Sequence, residues 1–168
     1  MPLVPFESLP SSARIWVFAS EVPLTGPEPD RLLGDVDAYL HAWKAHGVPL
    51  RCARQWVEDR FLVVGIDPTE EQASGCSIDG LFRAVQEVER TLGTRLVGGG
   101  RVFYRGGDGQ TRVASRDEFT TLAERGSVSP DTPVFNTALA HLEDWHASFE
   151  RPLSESWVAS LLRHQPVD

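Results

Sequence analysis

The sequence predicts a single α+β domain, residues 1–168, with a mainly antiparallel sheet, a β-α-β-β-α-β ferredoxin-like core and extra C-terminal helices. Three observations predict this class. Apolar runs rich in β-branched residues alternate with helical periodicities, short turns separate paired strands, and no break in composition marks a second domain. Residues 1–13 are rich in proline and serine and are predicted to form an extended N-terminal arm.

The first strand and the first helix follow the arm. Arg14–Ala19 is rich in β-branched and aromatic residues, which favour strands. A helix is predicted from Asp30, because apolar side chains as far as Trp43 recur at helical spacing. We expect His46 at the C-terminal end of this helix and Gly47 just beyond it, where glycine commonly ends a helix.

A hairpin and a second helix come next. Leu50–Val57 and Arg60–Ile66 flank the turn Glu58–Asp59. The second arm of this hairpin is apolar throughout, which is typical of a central strand. Helical spacing of apolar residues then predicts a helix over Ile78–Leu92, with Gly93 as its C-cap.

A second hairpin is predicted from Arg95–Arg105 and Gln110–Ala114, which flank a glycine-rich turn. The three glycines at 98–100 predict a bulge or break in its first arm. Ser115 and Glu118 have the spacing of a capping box, so a short helix should follow.

The C-terminal part is predicted to hold one short strand and two helices. Pro133–Phe135 is the strand. Asn136 is expected to cap a helix that ends at about Phe149, and Ser154 to begin a final helix that ends at about Arg163.

The composition excludes several classes of protein. A net charge of −8 disfavours nucleic acid or an anionic membrane as a partner. Lys44 is the only lysine and lies within the predicted first helix, so the chain has no P-loop. Two cysteines, Cys52 and Cys76, are too few for a disulfide scaffold or a four-cysteine zinc site. No signal peptide or membrane span is recognisable, which predicts a cytoplasmic protein with reduced thiols.

The run Ala73–Asp79 is the most informative part of the chain, because it places Cys76 at the start of a predicted helix. Backbone N–H groups are unpaired there and the helix dipole is positive, which favours a thiolate or a bound anion. Cys76 is therefore the candidate catalytic residue. The candidate ligand-binding residues around it are Ser74, Gly75, Ser77, Asp79 and Asp67.

A structural role for the same run is the alternative, with Ser77 capping the helix and Cys76 as a small buried side chain. The acidic neighbours favour this alternative, because Asp67 and Asp79 oppose both a thiolate and a bound anion. These two carboxylates also raise the possibility of a cation site, but no metal-binding spacing accompanies them, so no metal and no cofactor are predicted.

Two functional hypotheses remain. The first is a non-enzymatic module that binds an unknown small ligand or protein near Cys76 or at the C-terminal helices. The second is a thiol-dependent enzyme in which Cys76 is the nucleophile and a histidine, adjacent only in space, is the base. The sequence leaves the ligand and the oligomeric state open.

The two predicted helices should cover one face of the sheet, which sets an expectation for the core. The side chains expected to be buried together are Trp16, Trp43, Val63, Phe82 and Val85.

Five short motifs follow one another in a recognisable order: residues 14–17, Trp43 with residues 46–47, residues 74–79, residues 134–136 and residues 155–157. On these motifs the chain resembles a small uncharacterised bacterial family that is often labelled "ABC transporter ATPase". The label implies ATP hydrolysis, yet the chain has neither the Gly-Lys-Ser/Thr of a Walker A motif nor a Leu-Ser-Gly-Gly-Gln-like signature. The resemblance therefore carries no ATPase residues and singles out only the run around Cys76.

Overall fold

Helices and antiparallel sheets form an α+β fold in the computed structural model, which describes residues 3–69, 71–96 and 99–163. This confirms the predicted fold class. The chain divides into two compact units, Met1–Val97 with Thr137–His146, and Gly98–Asn136 with Ala147–Asp168. The expectation of a single domain stays a prediction.

The elements up to residue 96 belong to the first unit. In chain order they are β1 Arg14–Ala19, α1 Glu28–His41, β2 Lys44–Ala45, β3 Val48–Pro49, β4 Cys52–Val57, β5 Phe61–Ile66 and α2 Gly75–Leu92.

The later elements are two hairpin strands, short strands and short helices. In chain order they are β6 Arg101–Arg105, β7 Thr111–Ser115, α3 Arg116–Glu124, β8 Pro133–Phe135, α4 Leu142–Ser148, β9 Glu150–Pro152 and α5 Val158–Arg163.

The first sheet has the order β1–β5–β4, and both pairings are antiparallel. Every residue of β5 is buried, which confirms the central strand that its continuous apolar sequence predicted. Three residues lie between β4 and β5, and the first two, Glu58 and Asp59, have φ values of 58° and 55°. Positive φ at both positions is the pattern of a type I′ turn, which matches the twist of the flanking strands.

Helices α1 and α2 pack on one face of this sheet and enclose the core of the first unit. Trp43 and Val85 are buried in that core, and Trp16 and Phe82 are partly buried against it. The expected grouping was wrong for Val63. That side chain is fully buried, but it alternates with Leu62 and Val64 along β5 and so lies on the opposite face of the sheet.

The first helix ends earlier than predicted, at His41. Lys44 therefore lies in β2, not within a helix, and β2 pairs with β3 as a small hairpin. His46 and Gly47 form the turn of this hairpin, with φ values of 51° and 77°. The prediction failed because Trp43 continues the apolar spacing of the helix, although its side chain reaches the core from beyond the helix end.

The ferredoxin-like arrangement is not confirmed. Its fourth strand was expected from Arg95–Arg105, but the strand begins at Arg101 and belongs to the second sheet. Residues 140–142 lie along the outer edge of β1 instead, where the Ile15 N–H donates to the Ala140 carbonyl at 2.9 Å. The Leu142 N–H donates to the Ala13 carbonyl, also at 2.9 Å, so this returning segment partly covers the edge of the first sheet.

The composition of the N-terminal arm predicted an extended segment, but the arm is not extended throughout. A 3-10 turn at Phe6–Ser8 interrupts it, and Phe6 and Leu9 are buried. Leu9 packs against Gly65 of β5, where an added Cβ would approach the Leu9 Cδ1 atom to 2.7 Å. The apolar residues among the prolines explain why the arm folds back onto the sheet.

The second unit contains a four-stranded antiparallel sheet of order β7–β6–β8–β9. The predicted capping box between Ser115 and Glu118 is confirmed at the start of α3. Two predicted helix starts were wrong, because no helix begins at Asn136 and Ser154 lies in a 3-10 turn before α5. The expected bulge falls partly on Gly98, which is outside the described residues, and the strand begins only after Gly100.

Candidate functional site

A reciprocal capping box fixes the start of α2. The Ser77 N–H donates to the Ser74 Oγ at 3.1 Å, and the Ser74 N–H donates to the Ser77 Oγ at 2.7 Å. The helix therefore begins at Gly75, three residues before the predicted Ile78, and Ser74 is the cap in place of Ser77. The signal was present in the sequence, because Ser-x-x-Ser satisfies the helix start as Ser-x-x-Glu does.

The first turn of α2 exposes the candidate residue. Cys76 is exposed and is not in a disulfide, and Gly75 beside it is also exposed. The capping box uses the Ser77 N–H, and the Ile78 N–H donates to the Ser74 carbonyl. The N–H groups of Gly75 and Cys76, which come before these two, have no acceptor among the described residues. Two adjacent backbone donors thus remain open at the positive end of an 18-residue helix.

Trp43 holds this turn against the core. Its indole Nε1 donates a 2.9 Å hydrogen bond to the carbonyl of Ser77, and the Ser77 side chain is itself buried. The turn that carries the unpaired N–H groups of Gly75 and Cys76 is therefore held in place by its hydrogen bond to the buried Trp43.

Asp67 is not available as a free carboxylate. Its Oδ1 accepts hydrogen bonds from the Thr69 Oγ1 at 2.6 Å and from the Thr69 N–H at 2.9 Å. These bonds, followed by the nearby charge of Arg51, hold the pKa of Asp67 below its usual range. Arg51 Nε lies 3.6 Å from Oδ2. Of the carboxylates predicted to oppose an anion, Asp67 is therefore engaged by Thr69 and partly balanced by the charge of Arg51.

The predicted site residues divide into two groups. Ser74, Gly75, Cys76 and Ser77 meet in one turn, whereas Asp67 is engaged with Thr69 and Arg51. Asp79 is exposed further along α2. Within the described residues, no group of three or more His, Cys, Asp or Glu side chains is arranged to hold a metal ion.

Cys52 differs from Cys76 in exposure, since Cys52 is buried and Cys76 is exposed. Cys52 is fully buried in β4, and its Sγ donates a 3.5 Å hydrogen bond to the Leu40 carbonyl. Burial, with a smaller contribution from the charge of Asp37, raises the pKa of Cys52 to about 12. A thiol in this state is a packing residue and a poor nucleophile.

A second feature of the first unit is a cleft of about 530 Å³ along the outer edge of β4, which we name the β4-edge cleft. It is lined by residues 3–7 of the arm, by Leu33 of α1 and by residues 54–56 of β4. The indole Nε1 of Trp56 is buried in its wall with no hydrogen-bond partner among the described residues. Sequence reasoning missed this cleft, because it depends on the path of the arm and no local pattern specifies that path.

Comparison with known proteins adds no further constraint. No family model, no curated protein and no solved structure matches the chain. The resemblance to the family labelled "ABC transporter ATPase" therefore stays a prediction. Among the helices of the described residues, none is long and apolar enough to cross a membrane.

Proposed function

We propose that the chain is a binding module without catalytic activity, whose small ligand or protein partner meets the first turn of α2 around Cys76. The observation that carries the proposal is the pair of open N–H groups on Gly75 and Cys76. Both groups lie on a turn at the surface, so a ligand can reach them without unfolding any element.

The chemistry of this turn favours a ligand with a compact hydrogen-bond acceptor, such as a carboxylate or a phosphate oxygen. Two adjacent N–H groups at a helix start, together with the helix dipole, stabilise partial or full negative charge. The net charge of −8 opposes a large polyanion. We therefore propose a small acceptor group, not a nucleic-acid backbone, as the bound moiety.

The rigidity of the turn supports the same proposal. The capping box and the hydrogen bond from Trp43 to the Ser77 carbonyl fix the donors before a ligand arrives. A preformed site loses less conformational entropy when its ligand binds, and this favours affinity even for a small contact area.

Gly75 allows a test that removes one donor and spares the fold. Gly75 is the first residue of α2, a position where proline is well tolerated although it lacks an N–H. An added Cβ at Gly75 meets nothing within 4 Å, so Gly75→Ala serves as the matched control that keeps the N–H. The probes are inorganic phosphate and acetate, titrated separately while the backbone amide resonances are followed by NMR.

We expect either probe to shift the Gly75 and Cys76 amide resonances in a saturable way in the wild type, and the corresponding amides in Gly75→Ala. In Gly75→Pro the affinity should fall by roughly threefold to tenfold, which corresponds to the loss of one hydrogen bond. Absence of saturable shifts at these two amides, or equal affinity in the proline and alanine variants, would reject the proposed site.

The alternative function is a thiol-dependent enzyme with Cys76 as nucleophile. Exposure of Cys76 at the helix start favours it, because the attacking sulfur must be accessible. Its further requirement is a base, and no hydrogen bond joins Cys76 to a histidine among the described residues. This alternative predicts that Cys76 in the folded chain is alkylated faster at neutral pH than Cys76 in the denatured chain, whereas the binding module requires no such acceleration.

We also propose that the chain acts in the cytoplasm with both thiols reduced, and that it does not hydrolyse ATP through a P-loop. The absence of a Gly-Lys pair supports the second point. The first point is supported by two unpaired cysteines, one of them buried within a strand. Detection of a Cys52–Cys76 disulfide in protein isolated under thiol-blocking conditions would contradict it.

A further inference from the structure

The outer edge of β4 is only partly covered. On its inner side β4 pairs with β5 along its whole length. On its outer side the arm makes one parallel bridge, Leu3 to Cys52, and the Val4 N–H donates to the Cys52 carbonyl at 2.8 Å. The sheet edge thus already accepts an extended backbone segment, but within the described part of the arm it does so at Cys52 only.

The alternation of the strand shows which further backbone groups face outward. Since the Cys52 carbonyl points to the arm, the N–H and carbonyl groups of Arg54 and Trp56 lie on the same outer edge. The intervening residues, Ala53 and Gln55, direct theirs to β5. Among the described residues no backbone partner meets Arg54 or Trp56 on the outer side.

The arm leaves the edge because of its own sequence. Pro5 follows the last paired residue and has no N–H to donate, and the 3-10 turn Phe6–Ser8 then ends the extended pairing, although this turn stays in contact with β4. This departure opens the β4-edge cleft beside the unpaired groups of Arg54 and Trp56.

The two walls of the cleft differ in chemistry. On the helix side lie Leu33 and the ring of Trp56, both packed against the core cluster. On the side of the arm lies Glu7, an exposed carboxylate. The Arg54 guanidinium is held by Asp37 through two hydrogen bonds of 2.8 Å, so its charge is already balanced.

We propose that the β4-edge cleft binds an extended peptide segment of a partner protein, which adds a strand to β4. Its main chain would bond the outward groups of Arg54 and Trp56, as in other cases of strand addition to a sheet edge. Because side chains of a strand alternate between faces, the recognised segment carries an apolar residue toward Leu33 and a basic residue toward Glu7. This site is separate from the first turn of α2, so each proposal can fail without the other.

The probe is a capped peptide of alternating valine and lysine, acetyl-Val-Lys-Val-Lys-Val-amide. Its matched controls are two N-methyl isomers, one methylated on the odd-numbered and one on the even-numbered amides, so that each lacks the donors of one strand edge and keeps every side chain. Binding to the full chain is followed by NMR through the Arg54 and Trp56 amides and the Trp56 indole N–H, and by hydrogen exchange of the same amides.

We expect saturable shifts of these resonances at peptide concentrations up to about 1 mM, together with slower exchange of the Arg54 and Trp56 amides. Of the two N-methyl isomers, the one that lacks the donors facing β4 should bind roughly tenfold more weakly, since two main-chain hydrogen bonds are lost. Equal binding of both isomers and the unmodified peptide would overturn strand addition.

A pair of protein variants tests the same edge from the other side. Arg54→Pro removes an outward N–H, a change that an edge strand tolerates, whereas Arg54→Ala removes the same side chain and keeps the N–H. Binding should persist in the alanine variant and be lost in the proline variant. Three results count against the proposal: no shifts in the wild type, equal binding in both variants, or protection of the Arg54 and Trp56 amides by self-association without peptide.

Discussion

The indole Nε1 of Trp43 donates a 2.9 Å hydrogen bond to the carbonyl of Ser77, which joins the residue two beyond α1 to the first turn of α2. The ring of Trp43 is buried and stands edge-on to Trp16, with ring centroids 5.8 Å apart. One side chain therefore fills the core between two helices and also positions the turn that carries Cys76.

Replacing Trp43 by alanine should reduce the free energy of unfolding by about 3–5 kcal/mol, because a large buried aromatic leaves a cavity. Trp43→Phe should cost less, since it keeps most of the packing and loses the hydrogen bond to Ser77. Denaturant unfolding measures both. Val22→Ala is the control for an exposed apolar side chain, and a loss below about 1 kcal/mol in Trp43→Ala would contradict the burial of Trp43 in the core.

Much of the first unit could be predicted from local patterns. The apolar run of β5 and the periodicity of α2 are strong signals, and both elements were found. The end of α1 could not be predicted, because Trp43 fits the helical spacing of apolar residues. Trp43 nevertheless lies beyond the end of the helix, and its side chain packs in the core from there. The positive φ of His46 could not be predicted from the composition of this segment either.

The two candidate sites also differ in how far the sequence could predict them. The first turn of α2 could be placed from sequence to within three residues, because capping residues and a following amphipathic run are local features. The β4-edge cleft could not, since Leu3 and Cys52 are brought together only by the fold. The path of residues 137–146 back to β1 was equally hidden, and for the same reason.

Native alkylation should distinguish the two cysteines. Cys76 is exposed whereas Cys52 is fully buried, so we expect iodoacetamide to label Cys76 first at neutral pH. Mass spectrometry of peptides taken at successive times measures both rates. The denatured chain provides the control, in which the two rates should converge, and equal labelling of both cysteines in the folded chain would remove the thiol-enzyme alternative.

The buried thiol of Cys52 should make stability depend on alkaline pH. Its pKa is raised to about 12 in the folded chain by burial, above the roughly 8.5 of a cysteine in an unfolded chain. A raised pKa stabilises the fold below the unfolded value, and this contribution is lost as pH rises from about 9 toward about 12. Urea unfolding over this range should show a steeper loss for the wild type than for Cys52→Ala.

The bidentate ion pair between Asp37 of α1 and Arg54 of β4 should contribute measurable stability. Both hydrogen bonds measure 2.8 Å, and the two side chains are only 27% and 31% exposed. A double-mutant cycle with alanine at each position should give a coupling energy of about 1 kcal/mol that weakens with added salt. The cycle for Glu87 and Arg90, a highly exposed pair, is the control and should stay below about 0.5 kcal/mol.

Two helical glycines should respond in opposite directions to the same substitution. An added Cβ at Gly34 in α1 would meet nothing within 4 Å, so Gly34→Ala should raise the free energy of unfolding by about 0.5–1 kcal/mol. At Gly80 in α2 an added Cβ would overlap the hydroxyl of Tyr39, and Gly80→Ala should lower stability despite its better helix propensity. The two helices approach closely here, and burial raises the pKa of Tyr39.

Removal of the Tyr39 hydroxyl separates this clash from any other cost at Gly80. In a Tyr39→Phe background the overlapping oxygen is absent, so Gly80→Ala should recover most of the lost stability. The cycle of four proteins, measured by urea unfolding, should therefore show a favourable coupling of about 1 kcal/mol or more between the two substitutions. If Gly80→Ala destabilises the chain equally in both backgrounds, overlap with the Tyr39 hydroxyl is not the cause of the lost stability.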